Sequence, residues 1–521
     1  MSYETLITRL GFQSDPFSDS DADREDRLVE YFIPPPFFAA VLGSPTNPGS
    51  DIVFAPRGAG KTAIKRRIEE SDEHNRGRFL GVVYNRFDDG ARRLADVDLE
   101  RHINNIIELI LVALVEHVRQ NAVTDISNSS RRILYWLVEE HLSTIQQERL
   151  HHVVGAIQLG SDTAREWWNR VVGPANTIIG LVSAALGTTV PMVDKFKTEP
   201  VNLGGGLGKL KGLSEIAREV GFESIYVLVD KVDESHLTSN DAARAFQLVE
   251  PMLRNLDLIF MPGFGFKFFL WNELQQLFTE QCRPDRIPTH NIEWTQQQLV
   301  EMFRKRLLTF SDQRVSSVND IVATYGHLDV EQLLVFFADG SPRQIIRLCR
   351  EILKQQSELD DDTDRVSFAA IERGIASFSQ SFTQETVGQQ IRNELSQLHQ
   401  IEYTVPIIGE VLEMAAQSAR NKHLAWTRKG VVVQTGRQRT GRKGKASRVY
   451  ALKSALVAIS ALTPITLLDF IGKKVRVCRD CGVYSLADFD EREDVTTCAS
   501  CRKEALVLAD EDYPEKSTTT V

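Results

Sequence analysis

One short stretch limits the possible folds of this chain more than any other. Three apolar residues, Ile52 to Phe54, lead into Ala55-Pro-Arg-Gly-Ala-Gly-Lys-Thr62, and an amphipathic segment from Ala63 to Ile68 follows. A buried strand that turns tightly through glycines into a helix is typical of the first βα unit in a parallel sheet. The sequence therefore predicts an α/β fold.

The same turn predicts a polyphosphate site. Glycines 58 and 60 let backbone N–H groups turn inward, and the helix that starts near Lys61 adds its positive N-terminal end. In the pattern G-x-x-x-x-G-K-[ST], Lys61 reaches the β- and γ-phosphates and the Thr62 hydroxyl binds Mg²⁺. Ala55 replaces the first glycine of that pattern, at a position that tolerates alanine if φ is negative. The residues expected at the nucleotide are Pro56, Arg57, Gly58, Ala59, Gly60, Lys61, Thr62 and Ala63.

A later apolar run ends in carboxylates. Ile225 to Val229 lead into Asp230, and Asp233 and Glu234 follow closely. A buried strand that brings a carboxylate to the edge of a sheet can hold Mg²⁺, directly or through water. A second carboxylate three or four residues on can orient and deprotonate the attacking water. The sequence leaves Asp233 and Glu234 as alternatives for that base.

Polar residues follow the next predicted strands. Gly265 to Trp271 predict a strand, and the side chain of Asn272, just past its end, would contact the γ-phosphate or the water. The alternative is that Asn272 caps a helix beginning at Glu273. Arg283 and Arg286 precede a fifth predicted strand.

A helical region follows that strand. Gly340-Ser-Pro-Arg343 leads into an amphipathic helix, with Arg343 in its first turn.

Together these motifs resemble AAA+ and STAND-type P-loop ATPases, and within them the origin-recognition-like and KAP-like branches. The resemblance covers about residues 10 to 380. It implies a Walker A role for Lys61 and Thr62, magnesium binding by Asp230 and a sensor role for Asn272. It further implies that Arg286, or Arg283, is an arginine finger and that Arg343 is a second sensor. Lys231 departs from the AAA+ Asp-Glu pair, whereas Asp230-x-x-Asp233-Glu234 resembles the STAND arrangement.

The region beyond residue 380 has a different character. Between Arg428 and Arg448 there are eight Lys/Arg and no Asp or Glu, in a chain with a net charge of −10. Two short β segments joined by this basic loop resemble the wing of a winged-helix domain. The loop suits nucleic-acid phosphates, DNA more than RNA; the alternatives are a solvated loop or one that binds an acidic protein. The candidate contacts are Arg437, Arg439, Arg442, Lys443, Lys445 and Arg448.

Two Cys-x-x-Cys pairs lie near the C-terminus. They are separated by sixteen residues, which matches a zinc pattern. Four thiolates can complete a tetrahedral shell with no open position, so we expect a structural zinc ribbon. The expected ligands are Cys478, Cys481, Cys498 and Cys501.

The expected boundaries follow from these changes in character. They are an N-terminal strap (1–45), an ATPase core (46–292) with a helical insertion (about 97–215), a helical lid (293–380), a winged-helix-like region (381–470), a zinc ribbon (471–509) and a disordered tail (510–521).

The N-terminal sequence, the apolar segments and the cysteines indicate a cytoplasmic protein. Its start lacks the features of a signal peptide, and the most apolar window, Thr177 to Val190, is shorter than the roughly 20 residues that cross a bilayer. Without a secretory signal, the cysteines favour metal over disulfides.

Two functional hypotheses follow. In the first, a homo-oligomeric ATPase acts on nucleic acid, in genome maintenance or in the antiviral defence that the resemblance implies. In the second, ATP controls the oligomerisation of a signalling scaffold that recruits a separately encoded effector protein. Both require ATP and Mg²⁺, and both include the zinc ribbon.

Overall fold

A computed structural model describes most of the chain. It covers residues 3–71, 74, 76–87, 91–121, 126–142, 148–149, 153, 201–325, 328–439, 446–486, 501, 503 and 506–508, with backbone alone at 437–439, 446 and 506–508. The described residues form two compact units. The sheet unit comprises Pro34–Ile292, and the second unit comprises the residues up to Ile33 and from Glu293 onward.

The strands of the described residues are numbered in chain order. They are β1 (Asp51–Ala55), β2 (Phe79–Tyr84), β3 (Ser224–Val229), β4 (Phe264–Trp271), β5 (Thr289–Asn291), β6 (Glu402–Thr404), β7 (Val432–Arg439), β8 (Ala446–Leu452), β9 (Val475–Cys478), β10 (Tyr484–Leu486) and β11 (Leu506–Leu508).

The helices in the same part of the chain are numbered in the same way. They are α1 (Tyr3–Arg9), α2 (Leu28–Tyr31), α3 (Phe38–Leu42), α4 (Lys61–Glu69), α5 (Leu99–Asn121), α6 (Asn128–Leu142), α7 (Gly205–Glu219), α8 (Ala242–Leu253), α9 (Leu256–Ile259), α10 (Gln275–Gln281), α11 (Gln296–Phe310), α12 (Val330–Phe337), α13 (Pro342–Leu359), α14 (Phe368–Val387), α15 (Gln389–Leu398), α16 (Val405–Val411), α17 (Ala416–Arg428), α18 (Ala455–Ala461) and α19 (Leu467–Lys474).

The sheet unit is built on five parallel strands. Their order is β2-β3-β4-β1-β5, so β4 separates the two strands whose ends carry the predicted site. Every residue of β1 and of β3 is buried, as expected for a parallel sheet that helices cover on both faces. The predicted α/β fold with a parallel P-loop sheet is therefore confirmed.

A helical layer lies between β2 and β3 in the chain. The apolar face from Ile103 to Val118 is buried in α5, where it joins one core with α6 and α7. Helix α7 begins at Gly205, within the glycine-rich stretch 204–208.

A buried histidine connects α5 to β2 and α8. His102 Nε2 is 2.8 Å from the carbonyl oxygen of Leu248, and Nδ1 is 2.7 Å from the Tyr84 hydroxyl. A carbonyl can only accept, so Nε2 carries the hydrogen and Nδ1 accepts from Tyr84. Asn105 donates to the same hydroxyl at 3.2 Å. Burial lowers the pKa of His102 from 6.5 to about 4.

In the second unit, the N-terminal segment is held by an arginine of α11. The Arg306 guanidinium is 2.6 Å from a Glu25 carboxylate oxygen and also donates to the carbonyl oxygens of Pro16 and Asp19 and to the Tyr31 hydroxyl. Its side chain is 1% exposed. A buried arginine needs this number of acceptors, because every unpaired N–H group would lose its hydration without replacement.

Residues 389–452 form a small helical and β segment. The order is α15, β6, α16, α17, β7 and β8, and the three strands pair antiparallel in the order β6-β8-β7. Trp426 on α17 is fully buried and donates to a Glu394 carboxylate oxygen on α15 at 3.0 Å. The basic loop is the connection between β7 and β8, and residues 440–445 lie outside the described residues.

Candidate functional site

The predicted phosphate loop connects β1 to α4. Gly58 has a φ of 78° and Gly60 a φ of 103°, so both adopt the left-handed backbone that glycine accommodates without strain. Ala55 is the last residue of β1 and pairs with Trp271 of β4, so this position needs no positive φ. Alanine can therefore replace the first glycine of the pattern.

The lysine at the start of α4 contacts its own loop. Lys61 Nζ donates to the carbonyl oxygens of Ala55 at 2.9 Å and Pro56 at 3.2 Å. The ammonium is thereby held at the carboxyl edge of β1, beside the N-terminus of α4. Positive charge and helix N–H groups together favour an anion at this point.

The next residue meets the carboxylate that follows β3. The Thr62 hydroxyl donates to Asp230 Oδ2 at 3.1 Å, although 168 residues separate them in the chain. Asp230 is 2% exposed, and its Oδ1 accepts from the backbone N–H of Lys231 at 2.9 Å. A hydroxyl beside a carboxylate is a donor set that Mg²⁺ prefers. These two residues therefore fit the predicted magnesium site.

The two candidate bases lie in a single turn of 3₁₀ helix, Val232–Glu234. Asp233 is buried, and its Oδ2 is 2.7 Å from Nε of Arg57 in the phosphate loop. Glu234 is exposed. The turn therefore gives the two carboxyl groups different surroundings.

Asn272 follows β4, the strand between β1 and β3. It lies in a 3₁₀ turn, Asn272–Leu274, while α10 begins at Gln275, and no side-chain bond caps either element. The capping alternative is therefore wrong. Asn272 Oδ1 is buried and has no hydrogen-bond partner among the described residues. An unsatisfied buried acceptor costs free energy, so it is a place where a donor from a ligand or water would bind favourably.

The two candidate arginine fingers differ in how strongly they are paired. Arg283 makes two bonds to Asp285, at 2.9 and 2.8 Å. Arg286 is 3.7 Å from the same carboxylate, and its side chain is 61% exposed. Arg343 lies at the start of α13 in the second unit, and its role at the nucleotide stays a prediction.

Three of the four predicted zinc ligands converge. The sulfur atoms of Cys478, Cys481 and Cys501 all lie within 4.8 Å of one another, next to the antiparallel sheet β10-β9-β11. Burial raises the pKa of Cys478, but backbone N–H groups of Cys481 and Asp480 and the neighbouring thiols outweigh it and lower that pKa to about 7. Three thiols at this spacing fit a zinc shell that needs one more ligand. Cys498 lies outside the described residues.

The basic stretch from Arg428 to Arg448, which we call the basic arm, is described only at its two ends. Arg437 pairs with Arg448 across β7 and β8, Arg439 ends β7, and the Arg448 side chain is exposed. The remaining candidates, Arg442, Lys443 and Lys445, lie outside the described residues.

The sequence patterns missed an arginine near this arm. Arg420 of α17 and Arg448 line one cavity of about 540 Å³, together with Tyr450. Only the fold brings α17 and β8 together, so local sequence carried no signal for this grouping.

The sheet, the loop between β1 and α4, and the Thr62–Asp230 contact define the fold of a P-loop NTPase. No protein-family model matches the chain, and no curated protein matches it. Among solved structures, the chain is similar to the Aeropyrum pernix ORC2 protein in ADPNP-ADP complexes (12% identity, TM-score 0.36), over 84% of this chain and 97% of that one. It is also similar to the Thermotoga maritima RuvB Holliday junction branch migration motor (13% identity, TM-score 0.22), over 50% and 78% of the two chains.

No helix among the described residues is both long enough and apolar enough to span a membrane.

Proposed function

We propose that this protein is an AAA+ or STAND-like ATPase that binds ATP with Mg²⁺ and hydrolyses it. The observation that carries the proposal is the hydrogen bond between Thr62 and Asp230, beside a lysine at the N-terminus of α4. A distant carboxylate placed against the hydroxyl that follows the loop lysine is difficult to explain as a feature of stability alone. It is the arrangement that a magnesium nucleotide requires.

Each residue then has a defined task. The N–H groups of the loop and α4 bind the phosphates, and Lys61 leaves its carbonyl partners to contact the β- and γ-phosphates. Thr62 and Asp230 hold Mg²⁺, which supplies positive charge against the phosphate oxygens. Asn272 uses its unsatisfied oxygen to orient the attacking water. Asp233 or Glu234 accepts the proton of that water.

The decisive experiment is phosphate release from ATP by Lys61→Ala. Hydrolysis should fall about a hundredfold or more, because the ammonium stabilises charge that develops on the phosphates. Lys211→Ala is the matched control, since Lys211 is an exposed lysine of α7 in the same unit. Hydrolysis by Lys61→Ala at the rate of the control would refute the assignment of the site.

The ATPase is also proposed to act on nucleic acid, DNA more than RNA. The support is the element order of residues 389–452, helix, strand, two helices and a two-stranded hairpin, which is typical of winged-helix domains. The basic loop connects the two strands of that hairpin, and such a connection is the part of a wing that would contact phosphates. On α17, Arg420 and Arg428 are exposed, whereas Trp426 is buried.

Neutralising the arm tests this coupling. Replacing five basic residues with glutamine should weaken binding to all duplex sequences alike and should flatten the salt dependence by about 0.9 log units in slope per lost contact. The five are Arg437, Arg439, Arg442, Lys443 and Lys445. A control with Lys305→Gln and Lys354→Gln, whose side chains are 44% and 61% exposed, changes the charge on other helices of the second unit. If the arm variant binds DNA with the wild-type affinity and salt slope, the arm does not contact DNA, and the alternatives are a solvated loop or one that binds an acidic protein.

A second candidate function is an ATP-controlled oligomer that recruits a separate effector protein. The exposed Arg286 favours it, because an arginine that pairs weakly within its own chain is suited to a neighbouring subunit's nucleotide. Mass photometry with and without ATP tests oligomerisation, and DNA stimulation of turnover separates the two candidates. A role in cytoplasmic genome maintenance or antiviral defence is the biological setting that we propose for either.

A further inference from the structure

The phosphate loop contains an arginine that the proposed hydrolysis does not use. Arg57 precedes Gly58, and its Nε donates to Asp233 Oδ2 at 2.7 Å. Its guanidinium carbon lies 4.4 Å from the centre of the Trp271 ring. One side chain therefore contacts both a candidate base and the last residue of β4.

The strand order explains how one arginine reaches both partners. Because β4 lies between β1 and β3, a side chain from the loop after β1 must pass over the end of β4 to reach the turn after β3. Trp271 is the residue at that end and pairs with Ala55, so its ring lies along the path. The stacked ring limits the guanidinium to few orientations, which strengthens its bond to Asp233.

The ion pair changes what Asp233 can do. The Asp233 side chain is 6% exposed, and one of its oxygens already accepts a charge-assisted bond from Arg57. A general base must offer a lone pair to water and must then carry the proton. Protonation of Asp233 would remove the charge that holds the guanidinium. Glu234, on the same turn, is exposed and is therefore better suited to act as the general base.

We propose that Asp233 is a positioning residue that acts through Arg57, and that Glu234 is the base. This inference rests on the proposed ATPase function. The ion pair links the phosphate loop to the turn Val232–Glu234, and it thereby fixes the distance between the bound phosphates and the Glu234 carboxylate. Trp271 aligns the arginine and extends the link to β4, the strand that Asn272 follows.

A double-mutant cycle on the full-length protein tests this link. The variants are Arg57→Met, Asp233→Asn and the double variant, each assayed for kcat and for the Kd of ATP. Each single variant should lower kcat by a similar factor, about tenfold. The kcat of the double variant should be no lower, because either change removes the same ion pair. The Kd should stay within about twofold, and Arg57→Lys should restore part of kcat, since lysine keeps the charge but lacks the planar fork.

Glu234→Gln is the comparison that identifies the base. It should lower kcat about a hundredfold or more while nucleotide still binds. If Asp233→Asn instead causes that loss while Arg57→Met remains near wild type, Asp233 is the base and the inference is overturned. Additive losses in the double variant also overturn it. Asp233→Asn is isosteric, Arg57→Met keeps an unbranched apolar side chain without the guanidinium, and nucleotide binding confirms that each variant is folded.

The proposed function is judged separately. Lys61→Ala, assayed alongside, reports whether this site hydrolyses ATP at all. If the wild-type protein does not hydrolyse ATP, the proposed function is refuted. If it does hydrolyse ATP but the kcat losses of the Arg57 and Asp233 variants are additive, only the link is refuted.

Discussion

Mild acid should destabilise the sheet unit through His102. Its ring is fully buried and neutral, with both nitrogens in hydrogen bonds to Tyr84 and Leu248. In the unfolded chain the ring binds a proton as the pH falls below 6.5, whereas in the folded chain it does so only near pH 4. The stability from the neutral ring is therefore fully present above pH 6.5 and is lost between pH 6.5 and about 4.

The size of this effect follows from the two pKa values. Between pH 7.5 and pH 5, protonation of this one histidine stabilises the unfolded state by about 2 kcal/mol. At lower pH the folded state loses about 3 kcal/mol of stability in total from this group. His141 adds to the wild-type curve, because burial and the nearby Lys209 also lower its pKa to about 4. The contribution of His102 is therefore the difference between wild type and His102→Gln.

Urea denaturation at the two pH values provides the assay. Brief hydrogen-exchange pulses, read by mass spectrometry on peptides from α5, give the unfolding free energy of the unit that contains His102. His102→Gln should lose about 2 kcal/mol less than wild type on acidification. His399→Asn, which removes an exposed imidazole outside this network, is the control. If wild type and His102→Gln lose equal amounts of unfolding free energy between the two pH values, the reasoning is refuted.

Three further predictions concern other parts of the chain. Arg306→Met should destabilise the second unit by about 3–5 kcal/mol, measured in urea by hydrogen exchange on peptides from α11, because the buried Glu25 carboxylate loses its ion pair with Arg306. Replacing Glu25 with methionine as well should recover part of that loss, and a cost for Arg306→Met below about 1 kcal/mol would contradict this account. Arg286→Ala should slow hydrolysis with an unchanged Kd for ATP, and equal turnover in a strictly monomeric protein would exclude an arginine finger. Cys478→Ser should abolish zinc binding, measured by metal analysis, and should unfold the residues around β9 to β11, while basal ATP hydrolysis persists. A variant that keeps its full zinc content would refute the assignment of Cys478 as a zinc ligand.

The sequence predicts the elements of the sheet unit well, because each one is specified locally. The strand that leads into Asp230 is β3, and the helix predicted to carry Arg343 in its first turn is α13. The loop residues are equally local, since glycines and a lysine at fixed spacing need no distant partner. The fifth predicted strand is β5, where Thr289–Asn291 pair with β1.

The contacts between distant residues could not be predicted. Arg57 and Asp233 are 176 positions apart in the chain. They meet because the strand order places β1 and β3 on either side of β4, so that Arg57 can reach Asp233 across the end of β4. Arg306 carries no sign of burial in its own sequence, since arginine is usually exposed and half its acceptors are backbone carbonyls. Sequence patterns identify the parts of this site, whereas the strand order determines which parts meet.

The strand order also has a consequence for synthesis on the ribosome. Strand β1 emerges early, but its neighbours are β4 and β5, and Asp51 pairs with a lysine 216 positions later. The loop that we propose binds phosphate therefore cannot complete its surroundings until nearly the whole sheet unit has been translated. Until then, β1 exposes an apolar strand with two open edges, which is a hazard for aggregation. We expect nascent chains that end before β4 to bind chaperones and to lack affinity for ATP.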